Sequence, residues 1–456
     1  MAIIQTMQHL PEDTLIVFVS DSHIGGDPGC DGFESPAELE ALFAELAGHE
    51  GAVELILAGD FFDFLQISKT PPGMDRAAAT ISRPEYEAMF AALKGLASRE
   101  GKRVVYMPGN HDAEMWWNPE IGETLRGRGL VHELALSYAA SIEVGGERRV
   151  VYCEHGNQFD PANTVDDYTD RLDTPLGHHV VTDFTRRVAP FGEISRGLDL
   201  SEIKMVYPLT AIPGWVASRY FYDLVGKVTA YVLVPLLVAY AVYRIAAYSL
   251  GLLSGGQAGL MGSYRQLPRV HELFLELGLF GLLVGVIFAL FFLAARRWVR
   301  RTAATLGQQR CGPRYSPAEA SKEKVRGVLS GDERPPMDAS LDPAAIDVFV
   351  SGHTHLPSLD EVDKRGGGTA VIVNSGCWLR QLQPVSPRLK GPPIFVSRFV
   401  LTHVRVYVRG PSLRVELWDH PKPAEQSLTR IERLLSPRKP GSSVGAEPRV
   451  QAAAEL

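Results

Sequence analysis

Five short runs of β-branched and aromatic residues, each followed by a cluster of Asp, His or Asn, constrain this chain more than any other feature. Thr14 to Ser20 ends in Asp21-Ser22-His23, and Val53 to Ala58 ends in Gly59-Asp60-Phe61-Phe62-Asp63. Arg103 to Met107 leads to Gly109-Asn110-His111-Asp112, and Arg148 to Cys153 leads to Glu154-His155-Gly156-Asn157. Ile346 to Val350 leads to Ser351-Gly352-His353-Thr354-His355. A continuous apolar run suits a strand buried on both faces, and open α/β sheets place their ligands beyond the carboxyl ends of such strands. One polar cluster after one strand would be unremarkable, because turns favour Asp and Asn. Five of them predict one site built from five loops.

Helix signals separate the strands. Ser35-Pro36-Ala37-Glu38 combines an N-cap, a first-turn proline and a capping-box glutamate, and predicts a helix to about Gly48. A second amphipathic helix is expected over about Pro84 to Arg99, and Ser316-Pro317-Ala318-Glu319 repeats the start signature for a helix to about Leu329. Thr369 to Val373 reads as a strand, and Phe399 to Val408 and Leu413 to Trp418 as an alternating pair. From about Pro421 the tail is rich in Pro, Ser, Ala and charge, so one short helix near Ser427 to Leu435 is expected in an otherwise disordered segment.

Between the fourth and fifth strands the pattern changes. Residues 161 to 215 are polar and helix-prone, with Asp166, Asp167, Asp170, His178 and His179 among them. Val228 to Leu253 is almost wholly apolar, broken by Arg244, and Leu277 to Ala295 carries no charge before Arg296-Arg297-Trp298-Val299-Arg300-Arg301. A hydrocarbon core of ~30 Å needs ~20 helical residues, so both runs are long enough to cross. A buried helical hairpin in a soluble cap is the alternative. Asp60 and His353 stand on opposite sides of this insertion, so the apolar pair must go out and return if they share a site. Lys227 and the four arginines place the catalytic side in the cytoplasm by the positive-inside rule. Arg265 and Arg269 in the connection also fit a shallow hairpin in one leaflet.

Composition excludes little more. Charged residues are 22% and the net charge is -7, which does not suggest a nucleic-acid binder. Cys30, Cys153, Cys311 and Cys377 are scattered, which fits a reducing compartment and no disulfide framework. The first residues show no signal-peptide pattern.

Asp21, His23, Asp60, Asn110, His155, His353 and His355 form an oxygen and nitrogen donor set without thiolate. Seven donors are too many for one ion, but two ions ~4 Å apart can use them all through a bridging carboxylate. The donor chemistry suits Mn first, with Fe or Zn as alternatives.

The order DxH, GDxxD, GNHD, H-G and GHTH resembles the calcineurin-like metallophosphoesterase superfamily. The motifs cover about residues 14 to 160 and 345 to 420. The resemblance implies that Asp21, His23, Asp60 and His355 hold one metal, and that Asp60, Asn110, His155 and His353 hold the other, with Asp60 as bridge. It implies that His111 acts on the phosphoryl group or protonates the leaving oxygen, with Asp112 orienting its ring. Asp63 reads either as a second partner of the ligands or as a helix cap. Asn157 and Asp160 read as turn formers, His178-His179 as a solvated helix face, Phe61, Phe62 and Phe64 as core, and Trp116-Trp117 as core or pocket wall. The motif order is also similar to that of bacterial UDP-2,3-diacylglucosamine hydrolases, which act on a lipid-linked substrate. This chain has GNHD where those enzymes typically have arginine for the histidine, and carries a hydrophobic insertion that they lack.

The expected fold is therefore a four-layer α-β-β-α sandwich split by a transmembrane helical hairpin. The expected segments are 1–160 and 302–420 as halves of the catalytic domain, 161–225 as a helical cap, 226–301 as the hairpin with helices about 228–253 and 273–295, and 421–456 as a mostly disordered tail. The expected activity is hydrolysis of a phosphomonoester or phosphodiester of a lipid or nucleotide-lipid at the inner membrane surface, with the catalytic domain in the cytoplasm. An anchored nucleotide phosphodiesterase or protein phosphatase is one alternative. A catalytically silent, metal-stabilised membrane scaffold is another, disfavoured because every ligand position is filled.

Overall fold

Side-chain parity along the strands determines the architecture. In a strand successive side chains point to opposite faces, so a run that is apolar throughout must be covered on both sides. In the strand Leu15–Val19, Ile16 and Phe18 enter one core, while Leu15, Val17 and Val19 enter another. The same split recurs in Val53–Ala58 and Lys102–Met107.

The computed structural model describes residues 7–27, 31–179, 181–182, 193–195, 198–208, 211–254, 269–308, 316–338, 340–364, 367–389, 391–437 and 447–456. The predicted connection between the apolar helices, together with Cys30 and Cys311, lies outside the described residues. Strands are numbered in chain order: β1 Gln8–Leu10, β2 Leu15–Val19, β3 Val53–Ala58, β4 Lys102–Met107, β5 Glu133–Leu134, β6 Ser137–Val144, β7 Glu147–Glu154, β8 Glu193–Ser195 and β9 Leu198–Asp199. The remainder are β10 Val348–Ser351, β11 Ser358–Asp363, β12 Thr369–Asn374, β13 Trp378–Val385, β14 Ile394–Arg409, β15 Ser412–Asp419 and β16 Arg449–Glu455.

One sheet has the order β16-β15-β14-β2-β3-β4-β5, with β13 also pairing β14, and the other has the order β1-β6-β7-β10-β12-β11. Strands β2 to β5 are mutually parallel, as are β7, β10 and β12. The sheets face each other across a core containing Ile16, Phe18, Ile56, Val105, Ala140, Val151, Val348 and Val371. Behind the first sheet lie the helices Pro36–Gly48, Glu87–Ala97 and Pro119–Gly127, through Leu42, Phe43, Met89, Phe90 and Leu125. Behind the second lies Pro317–Leu329, through Val325, Val328 and Leu329. These are the four expected layers.

Several local expectations change. Pro36–Gly48 starts where its signature predicts, but Ser35 makes no side-chain cap bond. Ser316 does cap, accepting from Glu319 N. The second helix region begins as a 3-10 turn at Pro84–Tyr86, and the α-helix follows as Glu87–Ala97. Against the expected disorder, the described parts of the tail hold two ordered elements. The helix Arg430–Leu435 has a complete capping box between Thr429 and Glu432, and β16 adds to the edge of β15 in antiparallel register.

The insertion forms two long helices. Ile212–Val228 continues through a π-helical turn, Thr229–Leu233, into Val234–Ser254, and Arg269–Gln308 follows. Phe221 meets Phe292, Tyr240 stacks on Phe280, and Arg244 forms an ion pair with Glu276. As residue numbers rise in one helix they fall in the other, so the two run antiparallel. Both helices are long and apolar enough to cross a membrane, and little of either apolar window is buried. The expected helical cap, residues 161–225, is described only in part, and it ends in the helix Ile212–Val228. Before Ile212 its described parts include turns, the four-residue helix Leu176–His179, the β8-β9 pair and a 3-10 segment, Leu200–Met205.

Candidate metal centre

The loops after β2, β3, β4, β7 and β10 meet because their backbones and side chains cross-brace. Asp21 N donates to Gly59 O at 3.0 Å and His23 N to Asp60 O at 2.9 Å. Gly352 N donates to His155 O at 2.9 Å, and His353 N to Asp21 Oδ2 at the same distance. His111 N donates to Asp60 Oδ1 at 2.8 Å. The glycines in these loops answer to close approach. A Cβ on Gly109 would collide with Asp60 Oδ1 and His155 Nε2, and one on Gly352 with Asp21 Oδ2 and Ser20 Oγ.

Among the described residues, the only non-glycine positions with positive φ are Asp21, His23, Asp60, His353 and His355. All five belong to the expected ligand set. Left-handed backbone costs an L-residue energy, and it clusters where function requires a side chain to be re-aimed.

The donor atoms converge in three overlapping groups, two of which contain Asp60. His355 Nε2 lies 3.1 Å from Asp21 Oδ1 and 3.1 Å from His23 Nε2, and His23 Nε2 lies 3.9 Å from Asp21 Oδ1. Asp60 Oδ2 lies 3.8 Å from His23 Nε2 on one side and 3.3 Å from His155 Nε2 on the other. Asp60, His155 and His353 form a second cluster close enough to share an ion, and His23, Asp60 and His111 an overlapping third. Asn110 Oδ1 is buried without a hydrogen-bond partner, as is Asp21 Oδ1. Orphaned buried oxygens beside imidazole nitrogens fit divalent cations, which would satisfy them. Bracing leaves these atoms free: Ser20 Oγ and His353 N occupy Asp21 Oδ2, and His111 N occupies Asp60 Oδ1.

Outer partners hold most of the rings. His155 Nδ1 donates to Ala58 O at 3.0 Å, which leaves Nε2 facing Asp60. His353 Nε2 lies 3.2 Å from Asp160 Oδ2, and Asp160 also accepts from Asn163 Nδ2 at 2.7 Å. Asp63 lies between two rings, with Oδ1 3.0 Å from His111 Nδ1 and Oδ2 3.6 Å from His23 Nδ1.

The expected orientation of His111 by Asp112 does not hold. Asp112 turns inward, accepting from Phe61 N at 3.0 Å, Tyr106 Oη at 2.5 Å and Gly109 N at 2.5 Å. It braces the third loop against the second, and Asp63 holds the ring of His111. Burial would lower the pKa of His111, but the carboxylates of Asp63 and Asp60 outweigh it and hold it up at about 9. Burial would raise Asp63, but the charge and hydrogen bond of His111 hold it well below the usual carboxylate range. Burial likewise opposes ionisation of Asp60, and His155 and His111 bring it well below that range. Protons and divalent cations compete for such imidazoles, so cation binding here would release protons.

Phe61, Phe62 and Phe64 are core, and Trp116 and Trp117 pack beside Ala113, Val165 and Tyr168. His178 and His179 meet edge to face in the short helix, outside the clusters that could hold an ion. Asn157 is fully buried against Tyr168 and Asn163 O. Two neighbours of the site escaped sequence reasoning. Asp160 read as a turn former, and the spacing from His155 to Asp160 was its only available signal. Tyr207, whose ring stacks on His355, had none.

The family model for calcineurin-like phosphoesterases matches residues 14–193, the segment that carries the first four motifs. No curated protein matches the chain.

Proposed function

We propose that this chain, whose residues 14–193 match the calcineurin-like phosphoesterase family, works as a membrane-anchored dinuclear phosphoester hydrolase on a lipid or nucleotide-lipid phosphoester at the bilayer surface. Asp21, His23, Asp60 and His355 hold one cation in this reading, and Asp60, Asn110, His155 and His353 the other. Mn suits the donors best, with Fe or Zn as alternatives. Two cations there supply activation of water and neutralisation of phosphoryl charge. His111 carries a proton at its ring and gives it to the leaving oxygen, and Asp63 keeps that ring charged and turned to the site.

The observation that carries the membrane part is the exposed apolar belt on the hairpin. It includes Tyr231, Val234, Val238, Val242 and Leu250 on one helix, and Phe274, Leu279, Leu282, Ile287 and Leu293 on the other. From Tyr231 to Leu250, and from Phe274 to Leu293, the helices rise ~28 Å each. That matches a hydrocarbon core of ~30 Å. At the catalytic end of the belt, Phe288, Phe291 and Phe292 pack with Phe221, Ile394 and Leu428, so the catalytic domain sits at the belt's border. Lys227 is exposed there, as is Arg297. Positive charge on that border supports a cytoplasmic catalytic domain.

The test is hydrolysis of p-nitrophenyl phosphate and bis-(p-nitrophenyl) phosphate by the detergent-purified full chain with Mn, beside Asp60→Asn. Activity abolished in the variant supports the chemistry. Detergent-dispersed phospholipids and nucleotide-lipids are then compared with soluble nucleotides. Efficient cleavage of soluble nucleotides alone would refute the lipidic substrate. Protease accessibility in inverted against right-side-out vesicles tests the orientation.

A further inference from the structure

Every imidazole in the centre but one has a polar partner behind it. Ala58 O holds His155, Asp160 holds His353, and Asp63 serves His111 and His23. His355 is the exception. Its Nε2 faces Asp21 and His23, while its Nδ1 is buried without a hydrogen-bond partner. A ligand ring with nothing behind it can swing about its Cβ–Cγ bond, and the outer partner normally prevents this.

An aromatic face occupies that role. The ring of Tyr207 stacks on His355 with centroids 4.8 Å apart and planes inclined by 25°. Tyr207 does not come from the catalytic sheets. It follows the 3-10 segment Leu200–Met205 and precedes the helix Ile212–Val228, which continues without a break into the apolar hairpin. Two contacts seat it. Tyr207 N donates to Leu382 O at 3.0 Å, and Val206 forms a bridge with Leu382. Val206, Trp215, Leu382 and Phe395 close a small buried core beneath it. On the far side, the buried Arg219 of the same helix donates to Glu202 at 2.9 Å and to Ser427 O at 2.9 Å, and pairs with Glu432. The stem, the segment that carries Tyr207 and the C-terminal helix are thereby fixed to one another.

We propose that Tyr207 is a positioning residue that holds the His355 ring by stacking, so that the stem of the hairpin completes the metal centre. This rests on the reading that His355 holds a cation. Tyr207 acts through its ring face and not through its hydroxyl, so Tyr207→Phe retains the function. Tyr207→Leu keeps bulk and loses the face, and Tyr207→Ala loses both.

The experiment is Mn binding by calorimetric titration of the detergent-solubilised full chain, with kcat and KM for bis-(p-nitrophenyl) phosphate measured in parallel. The expected result is Mn affinity at the weaker site reduced at least tenfold in Tyr207→Leu, the low end of the usual ~10–100-fold effect of an outer partner. At saturating Mn, kcat should fall while KM stays within twofold, and Tyr207→Phe should match the parent in both. Tyr207→Leu folded, with parent-like Mn affinity and kcat, would overturn the proposal. So would Tyr207→Phe impaired as badly as Tyr207→Leu, because the hydroxyl would then be the active part. A parent chain that binds no Mn would instead overturn the metal reading, whatever the variants do.

Discussion

Replacing Asp63 with Asn tests the assignment of acid chemistry most directly. The Asp63 carboxylate is the largest influence holding the His111 pKa up at about 9 against burial. Without that charge the pKa falls toward the ordinary imidazole value of ~6.5. The acid form is therefore lost to a much greater extent at pH 8 than at pH 6, where an imidazole of ordinary pKa is still mostly protonated. A general acid must be protonated, so activity that depends on it is lost as pH rises through the pKa. The alkaline limb of the kcat profile therefore moves to lower pH in Asp63→Asn. A substrate with an alkyl leaving group, which needs the proton, should show the full effect. A p-nitrophenyl ester, whose leaving group departs as an anion, should show little. Because Asp63 also lies near His23, profiles are compared at saturating Mn. An equal loss at pH 6 and pH 8, or an equal loss for both leaving groups, would refute the acid role of His111.

Other consequences are simpler to measure. Gly109→Ala forces a Cβ onto Asp60 Oδ1 and His155 Nε2, so it should cost at least ~10-fold in Mn affinity by titration, with secondary structure retained by circular dichroism. Glu276→Gln should destabilise the hairpin, because it removes the carboxylate of a buried ion pair with Arg244. The paired change Arg244→Leu with Glu276→Leu should recover most of the loss in thermal unfolding in detergent, since breaking a buried pair costs ~3–5 kcal/mol while replacing both members is often neutral. Removing residues 447–456 uncovers the edge of β15. The shortened chain should aggregate at lower temperature in a light-scattering ramp.

The parts of the fold that were legible in the sequence are those where burial on two faces leaves no choice of residue. LIVFV at Leu15–Val19 and VELILA at Val53–Ala58 are sandwiched strands, and their apolar runs carry their ends with them. The ligand loops were legible because each follows such a run. The strands β6 and β16 were not. SYAASIEV mixes polar and small residues, and RVQAAAE buries only Ala454. An edge strand such as β16, held by ladder bonds, requires little of its side chains. Asp112 misled because adjacency in sequence implies nothing about direction: it faces Tyr106 and Gly109 while His111 faces Asp63. Tyr207 was invisible for a different reason. Its partner lies far along the chain, and stacking leaves no pattern of spacing.

The backbone of the centre carries a last consequence. Five of the proposed ligands lie in the left-handed region, and at ~1–3 kcal/mol each they together store roughly 5–15 kcal/mol, as much as the net stability of a typical domain. Hydrogen bonds such as His353 N to Asp21 Oδ2 offset part of this, but they leave Asp21 Oδ1 and Asn110 Oδ1 unsatisfied. Cation binding is the remaining compensation. At free Mn a hundred times the dissociation constant, each site adds about 2.7 kcal/mol, or roughly 5 kcal/mol for two. At about 2 °C per kcal/mol for a domain of this size, loading should raise Tm by roughly 10 °C, and a chelator should reverse it. Asp60→Asn weakens the one carboxylate that reaches both clusters, so its Tm should hardly respond to Mn. A parent Tm indifferent to Mn would mean that protons and hydrogen bonds alone balance the strained loops, and the two-cation reading would fall with it.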